Sequence, residues 1–400
     1  MTPVEEILSL ADAQAAVRGR VRPLESETVP LAAAAGRFLA EPARSVVDLP
    51  PFRSSAMDGY ALRSADTPGR LPVAFRIAAG LPADRPIAAG EAMAIATGGL
   101  VPDGADAVVQ HELVVETDNR IEVAEPVASG ANVREPGRDV AAGAVVVDRG
   151  RRLGAAQIGA LAAAGVAAVA CGRRPRVAIL ATGTELREPG ATLRPGEIYE
   201  SNVAMLTAQL SAAGAEVTRL APVADDEDAH RRALEEGLEH DVLVTSGGVS
   251  VGPHDLVRRI EAELGVEEVF WRVAVRPGKP VSFGLRGSTL VFGLPGNPVS
   301  SLVGCELFVK PALAALQSAA EPGPRFAAGR LATAVVRNLG RDDLLRARTR
   351  LSGEGAVLEP VQGQESHMIV RAAEADALVL VPRGEGELAA GSAVRYLPLA

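Results

Sequence analysis

Residues 241–255 read DVLVTSGGVSVGPHD, and this stretch decides the fold. Val242, Leu243 and Val244 form a short apolar run with no polar interruption, followed by a hydroxyl pair, Thr245 and Ser246, and by Gly247 and Gly248. A short, wholly apolar run bounded by turn residues predicts a strand buried on both faces, as in a parallel sheet covered by helices. Ligands of such sheets sit beyond the carboxyl ends of the strands. There Gly247 and Gly248 allow a tight turn whose N–H groups can face a phosphate. Pro253 suits the first turn of a helix and Asp255 lies close to that start. A carboxylate near a phosphate-binding loop is a natural Mg2+ ligand, because hard cations take carboxylate and phosphate oxygens together. The letters GVSVG (248–252) also fit a G-x-S-x-G nucleophile elbow. An elbow puts its serine directly on the strand-to-helix turn, whereas Ser250 falls in mid-loop, so a hydrolase is set aside.

Outward from this strand, residues 175–317 alternate regularly. RVAILAT, AEVTRLAPV, DVLVTSG, EEVFWRVAV, KPVSFGL and TLVFGLPG read as strands. SNVAMLTAQLSAAG, DEDAHRRALEEGLEH, HDLVRRIEAELG and NPVSSLVGCELFVKPALAALQ read as helices. This predicts a doubly wound, mostly parallel α/β domain. Residues 4–20 have helical spacing, with Val4, Ile7, Leu8, Ala11 and Ala15 on one face, and a second short helix is expected at 31–40. From 46 to 150 short β-branched runs alternate with Gly, Pro and Asp, the chemistry of strands and turns. SAAEPGPR (318–325) is a linker candidate, and 330–400 reads as short strands of a small β barrel or sandwich.

The bulk composition excludes several classes. The chain has 400 residues, 48% hydrophobic and 23% charged, so it is globular and long enough for several domains. A net charge of -9 and a pI near 5.3 argue against a general nucleic-acid binder. The two cysteines, Cys171 and Cys305, are far apart and form no CxxC, and the five histidines show no HExxH spacing. The N-terminus is acidic and amphipathic, unlike a signal peptide. LGAAQIGALAAAGVAAVACG (153–172) is twenty uncharged residues long, but its Ala and Gly content gives poor membrane insertion. It reads instead as a helix at 155–164, a turn at Gly165 and a strand. A soluble, cytoplasmic protein with no membrane partner is expected.

Other loops carry chemistry. ATGTEL places Thr182, Gly183 and Glu185 at a strand end, with Gly183 letting the backbone approach a ligand. GLPGNPVSS sets Asn297 and Pro298 at a helix start. RPGKPVSF puts Arg276 and Lys279 around a Pro-Gly turn, two cations suited to an oxyanion. Lys279 and Lys310 are the only lysines; every other basic residue is arginine. Asp58 lies in a Met-Asp-Gly-Tyr turn, Thr97 precedes paired glycines, and Arg138 and Asp139 stand at a strand start.

Together, FRSSAMDGYA, TGGLVPDGADAVV, REPGRDV, ATGTEL, YESN, TSGGVSVGPHD, RPGKPVSFG and GLPGNPVSS resemble the molybdopterin molybdenumtransferase family of molybdenum-cofactor assembly, in family order over nearly the whole chain. The resemblance implies a helical linker domain (1–45 and 135–174), an inserted β-rich domain (46–134), an α/β molybdopterin-binding domain (175–324) and a C-terminal β barrel-like domain (325–400). It implies a homodimer whose active cleft is shared between subunits. Adenylylated molybdopterin and molybdate would be the substrates, AMP the leaving group and Mg2+ the required cation. Asp58, Thr97, Asp139, Glu185, Asp225 and Asp255 fall on family cleft positions, with Asp226 adjoining Asp225. Glu185, Asp225 and Asp255 would be the metal ligands. Thr182, Gly183, Ser246, Gly247, Gly248 and Pro298 would seat the phosphorylated pterin. Arg276, Lys279, Arg346 and Ser366 would contact molybdate. Position 276 is usually lysine in the family, and GQESHM around Ser366 is looser than the family pattern. An upstream adenylyltransferase and acceptor molybdoenzymes would be partners.

Two rival readings are weighed. A molybdopterin adenylyltransferase resembles 175–317 alone and typically carries Gly-Gly-Thr-Gly where this chain has Gly-Gly-Val-Ser. A non-catalytic scaffold of the same family would carry a long disordered linker, which this chain lacks.

Overall fold

The computed structural model of the protein describes residues 7–78, 80–222, 226–248, 256–353 and 355–399. Val242–Ser246 is a central strand of a six-stranded sheet in the order Glu216–Arg219, Arg176–Ala181, Val242–Ser246, Thr289–Leu294, Ser282–Arg286, Glu267–Trp271. The first four run parallel and the last two join antiparallel. All five residues of the central strand are buried. Val242 and Val244 face a core shared with Leu206 and Leu210 of the helix Asn202–Ala212. Leu243 faces Leu234 of the helix Glu227–Gly237, and Val257 and Ile260 of the helix Leu256–Glu263. The two-residue pleat thus feeds two apolar layers, which is why the strand carries no polar residue before Thr245.

Residues 298–316 are an α-helix (Pro298–Gly304), a π-turn (Cys305–Val309) and a second α-helix (Lys310–Leu316). Pro311 has no N–H, so it cannot bond the Leu307 carbonyl four residues back. Gln14 supplies the missing donor, its Nε2 lying 3.2 Å from that oxygen. Gln14 belongs to the helix Leu10–Arg20, which buries Leu10, Ala13 and Val17 in the same core. By length and composition, 298–316 is the one helix among the described residues that could cross a membrane, yet 78% of its most apolar window is buried inside the protein. An apolar surface all round is what a core helix needs.

The helix expected at 31–40 is a single 3-10 turn, Leu31–Ala33. Tertiary pairing overrides alanine's helical preference there. Ser26–Pro30 pairs antiparallel with Ala168–Gly172, Leu39 bridges Cys171, and Gly36 turns the chain at φ +79°. The uncharged stretch 153–172 does divide into a helix (Ala155–Ala163), a turn at Gly165 with φ +77°, and that strand. Between these segments lies a six-stranded sheet in the order Ala107–Gln110, Gly59–Leu62, Ala92–Ile95, Gly69–Ile77, Arg120–Val123, Val114–Thr117, with an apolar core on each side.

After residues 318–325, where the Ala320 N–H bonds the Gly150 carbonyl at 3.1 Å, the chain forms a closed five-stranded barrel. Its order is Asp342–Ser352, Gly355–Pro360, Ala327–Leu331, Ala393–Pro398, Ala377–Val381, and the last strand pairs back to the first. Val275–Arg276 leaves the α/β unit to pair in parallel with Asp342 and Asp343 of the barrel. The Pro-Gly turn that follows is therefore held between the two units.

Candidate functional site

Three loops converge at the carboxyl edge of the central sheet. The Thr182 N–H donates to the Ser246 carbonyl at 3.1 Å, and the Gly247 N–H donates to the Leu294 carbonyl at 3.0 Å. Gly247 has φ +94°, and a Cβ there would lie 2.9 Å from both the carbonyl and the hydroxyl oxygen of Thr182. Gly183 has φ +152°, and its Cβ would lie 2.7 and 2.8 Å from the two carboxylate oxygens of Glu185. Gly247 needs glycine for close approach to backbone as much as for conformation, whereas at Gly183 the positive φ is the constraint, since the exposed Glu185 carboxylate can move aside. Pro298 opens its helix with Asn297 at the N-cap, but the Asn297 side chain makes no capping bond. Thr182, Gly183, Ser246, Gly247 and Pro298 are thus brought to one sheet edge, where Gly248 follows with φ +67°.

One residue not singled out in the sequence ties these loops together. Asn202 is 7% exposed, and its Nδ2 donates to Ser246 Oγ and to the Gly296 carbonyl, both at 2.8 Å. Its Oδ1 is buried without a partner. The signal available was its place in YESN, directly before a helix packed on the same sheet.

Asp225 and Asp255 lie outside the described residues. Glu185 is exposed, and its carboxylate makes no hydrogen bond or ion pair with a described residue. Among the described residues no group of three or more His, Cys, Asp or Glu side chains could hold a metal ion.

A cavity of about 590 Å³ lies where the α/β unit meets the barrel. Arg276, Lys279, Asn297, Ser300, Arg341 and Ser366 are among its lining residues. The Ser366 carbonyl accepts from the Val299 N–H at 3.1 Å, so the barrel loop closes onto the helix start. Lys279 is half-buried and has no carboxylate partner among the described residues. Arg276 grips Asp343 with its fork, Nε to Oδ1 at 2.8 Å and Nη2 to Oδ2. Asp343 is fully buried; burial pushes its carboxyl pKa up, and the Arg276 bonds draw it down.

Arg346, expected to contact molybdate, is held by the protein backbone in this structure. It is 1% exposed and does not line the cavity. Its Nη2 donates to the Gly363 carbonyl at 2.7 Å, and its Nη1 reaches the carbonyls of Glu365 and Met368 at 3.3 Å. It braces the loop that carries Ser366. The physical reason is its place on the outer face of a barrel strand, opposite Leu345 and Ala347 of the barrel core, where the 363–368 loop covers it and backbone carbonyls solvate the guanidinium.

Asp58 and Thr97 adjoin strands of the inserted sheet, and Asp139 lies in the segment that follows it. Asp58 Oδ1 accepts from the Thr97 N–H at 2.6 Å and the Thr97 hydroxyl at 2.9 Å. These bonds, the backbone one first, hold the Asp58 carboxyl below its ordinary range. Gly59 is obligatory here, since a Cβ would lie 1.9 Å from the Val109 carbonyl. Beside them, Tyr60, Arg76, His111 and Glu116 line a cavity of about 280 Å³. Tyr60 donates to Glu116 at 2.5 Å, and burial together with that bond raises its pKa to about 12. Asp139 is exposed, and its N–H bonds the Leu49 carbonyl at 2.9 Å. No hydrogen bond among the described residues joins Asp58, Thr97 or Asp139 to Glu185 or Lys279.

A doubly wound sheet with glycine turns at its carboxyl edge, joined to a barrel across a cation-lined cavity, defines a multidomain α/β protein with accessory β domains and a cavity suited to an anion. Family models narrow this class. The MoeA N-terminal region (domain I and II) matches residues 8–165, the probable molybdopterin binding domain matches 178–315, and the MoeA C-terminal region (domain IV) matches 328–399. The chain is 34% identical to a molybdopterin molybdenumtransferase of Haemophilus influenzae, over 94% of each chain. It is 33% identical to one of Staphylococcus aureus, over 92% of this chain and 90% of that one. Its structure resembles a molybdopterin biosynthesis MoeA protein of Pyrococcus horikoshii, with a TM-score of 0.82 and 31% identity over 99% of this chain and 100% of that one. The chain belongs to the molybdopterin molybdenumtransferase family, MoeA.

Proposed function

We propose that the protein is a transferase of molybdenum-cofactor biosynthesis that inserts molybdenum from molybdate into adenylylated molybdopterin and releases AMP. The observation that supports this most is the cavity between the α/β unit and the barrel. It adjoins the Asn297–Pro298 helix start and carries cations and hydroxyls suited to a tetrahedral dianion. The glycine turns at 183 and 247–248 bring backbone close to a phosphorylated ligand, while Lys279 and Ser366 lie where the oxyanion would be delivered. Mutual orientation of the two substrates is then the protein's main contribution. The test is AMP release from adenylylated molybdopterin with and without molybdate. Molybdate-dependent release is expected. Adenylylation of free molybdopterin would point to the adenylyltransferase, and no turnover to a scaffold.

Mg2+ belongs to the same reading. The uncommitted carboxylate of Glu185 beside the Gly183 turn is the kind of hard oxygen donor such a cation takes. Glu185, with Asp225 and Asp255, would hold it, and a bound cation would offset charge on the departing phosphate. Glu185→Gln is expected to weaken Mn2+ binding, measured directly by electron spin resonance.

Asp58 and Thr97 bond each other and make no hydrogen bond to Glu185 or Lys279, which fits a cleft completed by a second copy of the chain. Asp58→Ala and Glu185→Gln subunits, each inactive alone, are then expected to rescue one another after exchange. Random pairing gives about half heterodimers, each with one intact site, so about a quarter of wild-type activity returns. Proven exchange without recovered activity places the site within one chain.

A further inference from the structure

We propose that Arg341, together with Lys279, holds the oxyanion, and that Arg276 instead positions the loop between them; this rests on the molybdate reading above. Three arginines stand near the cavity, and the structure separates their roles. Arg276 lines it but is committed to buried Asp343 through two side-chain bonds, in strand register with it. Arg346 is turned away onto backbone carbonyls. Arg341 lines the cavity, is half-buried, and its guanidinium makes no hydrogen bond or salt bridge with a described residue.

Its backbone is fixed in place. Asn338 Oδ1 accepts from the N–H groups of Gly340 and Arg341 at 2.9 and 3.0 Å. The next residue, Asp342, donates its N–H to the Ala274 carbonyl at 2.9 Å, two residues before Arg276. Arg341 thus stands on a braced turn where the barrel joins the loop of Lys279. Of the neighbouring acids, Asp343 feels the Arg341 charge but has both oxygens bonded to Arg276, and Asp342 Oδ1 accepts from the Arg383 N–H at 2.9 Å. Glu365 also lines the cavity, but it is exposed to water, which screens it. A half-buried guanidinium without a bonded anion is pre-organised for one, and the planar fork suits two oxygens of a tetrahedral dianion.

The test measures molybdate binding by calorimetry on the full-length protein, alongside molybdate-dependent AMP release. Arg341→Ala is expected to raise both the molybdate Kd and the half-saturating concentration by at least about tenfold, as for loss of a charged hydrogen bond. The Kd for adenylylated molybdopterin and the melting temperature should stay at wild-type values. Arg341→Lys should recover part of the loss, because it restores charge without the fork. Arg276→Ala should lower the melting temperature and shift molybdate binding less than Arg341→Ala does. Wild-type molybdate binding in Arg341→Ala overturns the proposal, as does an equal loss of pterin and molybdate binding, which would mark a structural role. A wild-type protein that binds molybdate yet releases no AMP overturns the proposed function instead and leaves the Arg341 comparison readable.

Discussion

The sheet-edge loops and the barrel-side cavity are two candidate anion-binding regions built in opposite ways. The loops at 182–185, 246–248 and 294–298 come from adjacent strands of one sheet, so the strand register alone sets them side by side. Their chemistry lies in the backbone, and the side chains mostly have to stay small. The cavity takes residues 276–280, 295–300, 341–345 and 364–367 from two units, and its chemistry lies in long cationic side chains. Each of those cations can face the ligand or a structural partner. The lesson is that a glycine turn declares its role by position, whereas an arginine declares its role only through its partner.

The largest expected effect tests the loop side. If register alone held the loops, Asn202 would be dispensable. Its two bonds instead predict that Asn202→Ala leaves the Gly296 carbonyl and the Ser246 hydroxyl without their donor. At about 1–3 kcal/mol for each buried polar group left unpaired, the combined cost is about 3 kcal/mol. We expect a lower melting temperature and a Kd for adenylylated molybdopterin raised by more than about tenfold, with molybdate saturation little changed. Hydrogen exchange at 294–297 should quicken. Unchanged pterin binding would show that strand register suffices.

The next effect tests the cavity side. Arg276→Ala leaves Asp343 fully buried with no bonded cation. Removing one partner of a buried ion pair costs about 3–5 kcal/mol. Arg276 itself is half-exposed, so about 2 kcal/mol is expected, read from denaturant unfolding. Asp343→Asn, which keeps one acceptor, should cost less. Equal stability of wild type and Arg276→Ala would mean that the fork is free to serve the ligand.

These two residues also mark what the sequence made legible. The α/β sheet, its glycine turns, the Asn297–Pro298 helix start and the short strands of the terminal domain could be read from periodicity and turn chemistry, because each is a local pattern; that those strands close into a barrel instead of a sandwich rests on a non-local pairing. Residues 31–40 look helical locally, but a non-local strand pairing claims that segment. Val275–Arg276 reads like the end of a sheet strand, and only the fold shows it crossing to the barrel. The family resemblance alone implies a ligand role for Arg346, and nothing local reveals that four carbonyl and amide oxygens surround it. Asn202 and Asp343 act across sequence separations of 44 and 67 residues, beyond any pattern a single segment can carry.

The smallest expected effect concerns Lys279 and sharpens the contrast most directly. Lys279 and Arg276 flank the same Pro-Gly turn, and in sequence they look equivalent. In the fold, Arg276 has Asp343, whereas Lys279 has no carboxylate partner among the described residues and lines the cavity with Ser366. Lys279→Ala should therefore leave stability almost unchanged, because no buried anion loses its partner. It should remove one charged contact to molybdate, about 1.5 kcal/mol, which is about tenfold in the half-saturating concentration. The turnover number at saturating molybdate should change less, and pterin binding should stay normal. Adding salt should reduce the difference between wild type and variant, since the cavity opens to solvent and ions screen such contacts. The paired measurement is decisive: Arg276→Ala shifts mainly stability, and Lys279→Ala shifts mainly molybdate affinity. If both variants move the same quantity to the same degree, the two cations share one role, and the division between a positioning arginine and a binding lysine is wrong.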